Sequence, residues 1–159
     1  MLITNHKINN QNGFNLIEVM VALVIFSLGL LGLSGLQQVG LTQNNIAMQR
    51  TIAMAQAYDL FDRMRNNKSA DYTSAAAAST PNCITSACGS AGDIANYDIY
   101  EWNLALSNAL PNGKGFITGG PTGYTVSVGW DESRQGLTPT SCSPAAPTGV
   151  KCISIEGRP

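Results

Sequence analysis

The sequence predicts an α+β protein: a long amino-terminal α-helix, transmembrane in its first half, packed by its second half on a small antiparallel β-sheet domain. Three observations carry this. Residues 19–37 are apolar apart from small serines and glycines and the closing Gln37, enough to span a hydrocarbon core about 30 Å thick at about 1.5 Å per residue. Helical periodicity continues beyond that run, and no proline occurs before Pro81 to break it. Glycine and proline then cluster after residue 80, around segments that alternate apolar and polar residues, as turn-rich β structure requires.

The first charge of the helix is Glu18, and no other follows until Arg50. A carboxylate at a membrane helix centre costs about 2.5–3.5 kcal/mol on insertion scales and less towards the interface, so Glu18 calls for a partner. Beyond the apolar run, Ile46, Ala53, Ala57, Leu60 and Met64 form an amphipathic stripe, which Ala47, Met54, Tyr58 and Phe61 are expected to widen. Arg50, Asp59, Asp62 and Arg63 fall mostly on the other side. Asp59–Arg63 and Asp62–Arg65 have the spacing of weak surface ion pairs, each about 0.2–0.5 kcal/mol. Asn66-Asn67 offers a stop, so the helix is expected over 14–66. Gly29, Gly32, Gly35 and Gly40 interrupt its apolar half; close packing of helices and a segment built to loosen both account for them.

Residues 69–90, rich in Ala, Ser and Thr, read as a loop stapled by a local disulfide. Asp93 is expected to cap a short helix whose buried stripe is Ala95, Ile99, Trp102, Leu106 and Leu110, ended by Pro111-Asn112-Gly113. Residues 115–118 suggest a strand. Residues 124–130 alternate strictly, with Tyr124, Val126, Val128 and Trp130 on one face. Residues 150–155 form the last strand, with Ile153 and Ile155 inward, after a proline-rich loop tied off by Cys142. Trp102 and Trp130 lie on apolar faces and read as core.

The domain boundaries expected are a leader over 1–13, the helix over 14–66 (membrane half 14–38, amphipathic half 39–66), and a globular α+β domain over 67–159. A conventional secretory signal fits poorly, because the leader has little basic charge and no small-residue cleavage site follows the apolar run. The positive-inside rule gives no orientation, with Lys7 alone before the run and Arg50, Arg63 and Arg65 after it. The four cysteines, Cys83, Cys88, Cys142 and Cys152, are the better guide: an even number in a small domain reads as disulfides, hence as an extracytoplasmic location. Three pairings are possible, and Cys83–Cys88 with Cys142–Cys152 is favoured because it staples the two least structured segments. The cysteine spacing matches no zinc finger.

A net charge of −1 with 12% charged residues gives no basic surface for nucleic acid. The single imidazole, His6, lies in the leader, and no nucleophile–base pair, phosphate loop or metal cluster is evident, so an enzyme is not expected and no cofactor is implied.

Residues 13–25, Gly-Phe-Asn-Leu-Ile-Glu-Val-Met-Val-Ala-Leu-Val-Ile, behind a short polar leader, resemble the processing site and first helical turns of type IV prepilins. Looser matches over 29–37, 57–65, 97–102 and 124–130 resemble PilV-type minor pilins, also called type IV pilus modification proteins. The resemblance implies that a prepilin peptidase cuts after Gly13 and methylates the new amine of Phe14. Glu18 then pairs with that amine on the same or a neighbouring subunit, which offsets its burial between helices. It further implies a single-pass inner-membrane protein with a periplasmic carboxyl-terminal domain, later found in the pilus at the cell surface. The implied partners are other minor pilins, the major pilin and the inner-membrane assembly platform, and the implied role is incorporation into, or priming of, type IV pili, with twitching motility and adhesion downstream. Major pilins usually carry a proline in this helix, where the chain has Gly35; that departure favours a minor pilin. The alternatives are a type II secretion pseudopilin and a pilus-tip adhesin or DNA-contacting pilin.

Overall fold

The computed structural model describes residues 13, 15–73, 83, 88–142 and 146–159. Residues 1–12 of the leader expected over 1–13, Phe14 and most of the loop expected over 69–90 lie outside the described residues. The elements run α1 (Leu16–Asn66), α2 (Ala91–Ala109), β1 (Lys114–Gly120), β2 (Gly123–Trp130) and β3 (Lys151–Gly157). The long helix on a small antiparallel sheet is the α+β, pilin-like architecture expected.

α1 is one unbroken helix of 51 residues, starting two positions later than expected. The carbonyl of Asn15 accepts from the amides of Glu18 (2.9 Å) and Val19 (3.4 Å), closing the first turn. The chain divides into two compact units, Met1–Gln43 and Asn44–Pro159. In the first, the apolar side chains from Leu16 to Leu41 are exposed.

In the second unit, α1 buries Gln49, Ala53, Ala57, Leu60, Phe61 and Met64. The stripe is narrower than periodicity suggests: Ala47 is exposed, Ile46 is half-buried, and Met54 and Tyr58 remain 46% and 54% exposed. Two tryptophans decide which flank is taken. The Trp102 indole donates to the Gln56 carbonyl (2.8 Å) and that of Trp130 to Gln49 Oε1 (3.1 Å). Gln49 is therefore buried although polar, because its hydrogen bond removes the cost of an unpaired amide.

α2 begins with a capping box, and the cap is Ser90, not Asp93. Ser90 Oγ accepts from the Asp93 amide (3.1 Å), while Asp93 Oδ2 accepts from the Ser90 amide (3.1 Å). Such reciprocal capping satisfies two otherwise orphaned donors, and loss of the cap residue costs about 1 kcal/mol. The expected stripe holds: Ala95, Ile99, Trp102, Leu106 and Leu110 are all buried.

The sheet is antiparallel in the order β1-β2-β3. Ile117 stands opposite Val126 and Val126 opposite Ile155, so one face of all three strands joins the core with Tyr124, Val128 and Trp130. β1 is longer than the segment expected at 115–118, and β3 runs two residues past Ile155. On the other face, the Ser127 and Ser154 hydroxyls share a hydrogen bond (2.8 Å), and Pro139 and Cys142 pack over Gly129. The structure pairs Cys83 with Cys88 (Cα–Cα 5.1 Å) and Cys142 with Cys152 (5.8 Å).

A polar network joins α1, the turn after it, α2 and β2. Asp98 accepts from the Tyr72 hydroxyl (2.7 Å) and from Arg63 (3.4 Å), which also holds Asp59 (2.9 Å). The Tyr72 amide donates to the Tyr124 hydroxyl (3.4 Å), and the two rings meet edge to face. Burial, then the Asp98 hydrogen bond, push the Tyr72 phenol above its ordinary range. The Asp59–Arg63 and Asp62–Arg65 pairs expected from spacing are present; Arg50–Glu132 and Arg63–Asp98 are long-range pairs that spacing cannot show.

Asp131, fully buried, organises the loop after β2. Its amide donates to the Pro111 carbonyl (2.9 Å), and its Oδ2 accepts from the Leu137 amide (3.0 Å). Burial alone would raise its carboxyl pKa, but the backbone amides of Gln135, Leu137, Gly136 and Arg134 outweigh burial and hold it below the usual carboxylate range. Because the folded pKa is depressed, this stabilisation is complete above the unfolded value near pH 4 and is lost as pH falls through the folded value. Asp131→Asn is therefore expected to lower stability at pH 7, with the gap to wild type closing towards pH 2. Denaturant titrations at successive pH values check this; a constant gap would contradict it.

Candidate processing and assembly site

The site predicted from sequence is the start of α1. Glu18 lies in the helix's first turn, where backbone amides lack intrahelical partners and the helix dipole favours a carboxylate by about 0.3–1 kcal/mol. Glu18 is exposed, and among the described residues it forms no ion pair. Below it, Val19, Ala22, Leu23 and Phe26 line an open apolar groove that Glu18 heads. Gly13 is exposed and non-helical. Phe14, the expected methylation position, lies outside the described residues, so the Gly13–Phe14 junction has only one described side.

The helix below this turn is long and apolar enough to cross a membrane, and none of its most apolar stretch is buried within the chain. Burying one large aliphatic side chain is worth about 1.5–3 kcal/mol. Leu16, Ile17, Leu23, Phe26 and Leu31, each more than half exposed, therefore create a strong demand for lipid or for other helices. A Cβ placed on Gly29, Gly32, Gly35 or Gly40 would meet nothing within 4 Å. Packing within this chain thus does not explain these glycines, which leaves contacts with other helices and helix loosening as their reasons.

The cysteines belong to the second unit. Among the described residues no group of three His, Cys, Asp or Glu side chains is placed to hold a metal ion. Sequence reasoning missed Gln49, Asp98, Asp131 and Glu132, whose roles rest on partners distant in the chain. A glutamine on the border of an apolar stripe was the one visible sign, for Gln49.

Residues 8–34 match the family described as the prokaryotic N-terminal methylation motif. No curated protein and no solved structure matches the chain. The matched span contains the end of the expected leader, the Gly13–Phe14 junction, Glu18 and the first turns of α1. Joined to the exposed apolar helix, it fits a membrane-anchored pilin and indicates a structural protein rather than an enzyme. The motif and the pilin-like fold together support a type IV pilin-like protein, a pilin or pseudopilin processed by a prepilin peptidase.

Proposed function

We propose that this chain is a minor pilin of the PilV type, cut after Gly13, N-methylated on Phe14, and incorporated into type IV pili or used to prime their assembly. The observation that carries the reading is the methylation motif set so that Glu18 occupies the first turn of a helix whose next turns are wholly exposed and apolar. After cleavage the amine of Phe14 stands four residues before Glu18 in the sequence. Their opposite charges offset the cost of taking either into a helix bundle. Residues 1–13 are then a leader, 14–38 the membrane and assembly segment, 39–66 the amphipathic half, and 67–159 the outer domain.

The two disulfides support a periplasmic domain, since the cytosol keeps thiols reduced. Gly35, in place of a helix proline, supports a minor over a major subunit. Several residues of the looser PilV-like segments have packing roles: Ala57, Leu60, Phe61, Met64, Ile99, Trp102, Tyr124, Val126, Val128 and Trp130 are all buried.

Gly13→Trp tests the reading. A bulky side chain before the scissile bond is expected to leave the chain at its unprocessed mass. The wild-type protein should yield a mature amino terminus at Phe14, one methyl group heavier by mass spectrometry. Normal processing of the variant would remove the assigned cut. A deletion strain with normal pili but defective protein secretion would assign the chain to a type II secretion machine instead.

A further inference from the structure

Among the described residues, no strand pairs with the outer edge of β3. Among the described residues β3 pairs only with β2, in seven consecutive pairs with no bulge, and its sequence contains no proline. Proline, charged side chains, a bulge or a covering element are the usual means of blunting such an edge. Its charges stand near its ends, Lys151 and Glu156, and Cys152 is fixed by its disulfide. Ile153 and Ile155 pack on the core yet stay half-buried.

The flank of α1 beside this edge is apolar and open. Two contacts locate it: Arg50 holds Glu132, just after β2, at 3.2 Å, and the Phe61 ring lies against Gly157 at the end of β3. Arg50, Met54, Tyr58 and Phe61 follow one another along one side of the helix at spacings of four, four and three. Met54 and Tyr58 therefore lie between the two contacts, and they are 46% and 54% exposed. α2 cannot cover them, because it packs by Trp102 against Gly115 of β1, at the other edge of the sheet.

A row of backbone groups with no partner among the described residues, beside an apolar floor, fits one kind of occupant. Only an extended backbone satisfies the edge, and only a strand with apolar side chains at alternate positions fills the floor without burying polar groups. We propose that residues 153–157 of β3, with Met54 and Tyr58 beneath, take up an extended, alternately apolar segment of a neighbouring subunit by strand addition. The source of the strand rests on the assembly role proposed above; the vacancy of the edge does not.

Two measurements test this. In the purified full-length chain in detergent, amide hydrogen exchange over 153–157 should show fast and slow positions in alternation, the slow ones bonded to β2. Uniform protection would mean that the chain covers its own edge, and would overturn the proposal whatever the protein's role. In assembling cells, a photo-cross-linking residue at Met54 should join a segment of a different subunit that reads as a strand. Tyr58→Glu should cut that cross-link at least tenfold with no change in melting temperature. Cross-links to a helical segment, to this chain's own loops or to nothing would overturn strand addition. If processing and piliation stay normal in that experiment, the pilin reading survives the loss of this one.

Discussion

Gly115→Val is expected to destabilise the globular domain by about 3 kcal/mol, the upper end of the usual cost of overpacking and a large share of the 5–15 kcal/mol typical of a folded domain. A Cβ on Gly115 would overlap Cζ3 and Cη2 of the Trp102 indole. That indole is 1% exposed and tied to the Gln56 carbonyl, so it cannot yield without breaking a buried hydrogen bond and opening the contact between α2 and α1. The Gly115 amide is also held, by Asn103 Oδ1 at 3.1 Å, so β1 cannot easily move away. Gly120→Ala in the same strand is the control: its Cβ would meet nothing within 4 Å, and its effect should stay within about 0.5 kcal/mol. Tryptophan fluorescence during denaturation reads both. Pairing Gly115→Val with Trp102→Leu should recover part of the loss, since the two side chains compete for one space. Equal stability of Gly115→Val and Gly120→Ala would refute the account.

Glu18→Ala is expected to leave processing intact and to cut the amount of this chain in sheared surface pili by at least tenfold. On the assembly reading, removing the carboxylate strands the methylated amine of Phe14 in an apolar bundle. A charge there costs about 2.5–3.5 kcal/mol, and each 1.36 kcal/mol is a factor of ten. Glu18→Gln should behave like the alanine variant, because the amide keeps the shape and loses the charge, while Glu18→Asp should retain part of the function. The ratio of mature chain in membranes to mature chain in pili is the quantity to measure. Wild-type incorporation of Glu18→Ala would dismiss Glu18 as a docking charge. Failure of processing would instead place Glu18 in recognition by the peptidase.

The repeating patterns of the chain were legible because each is a property of neighbouring residues. The spacing of Ala53, Ala57, Leu60 and Met64 carries the helix, and the alternation of Tyr124, Val126, Val128 and Trp130 carries the central strand; all eight are buried. The processing motif is likewise local, within residues 8–34. Edges were less legible. Ser90 rather than Asp93 caps α2, because capping depends on which residue leaves the helical conformation, and both types can cap. The outer limits of the α1 stripe could not be read from apolar character, since Met54 and Tyr58 are as apolar as the residues that are buried.

The sequence by itself determined a long unbroken helix, a charge at its head, the apolar run behind it and the strand pattern of the globular domain. Tertiary structure alone decided which flank of α1 is covered, that Gln49 and Asp131 are buried, and that Asp98 joins Arg63 to Tyr72. Those outcomes depend on partners such as Trp130, which lies 81 positions from Gln49. Periodicity measures a residue's tendency to leave water, whereas hydrogen bonds between distant segments set which polar groups can leave with it. The motif at Gly13–Glu18 has the opposite character. It is written entirely in consecutive residues, and among the described residues Glu18 forms no ion pair.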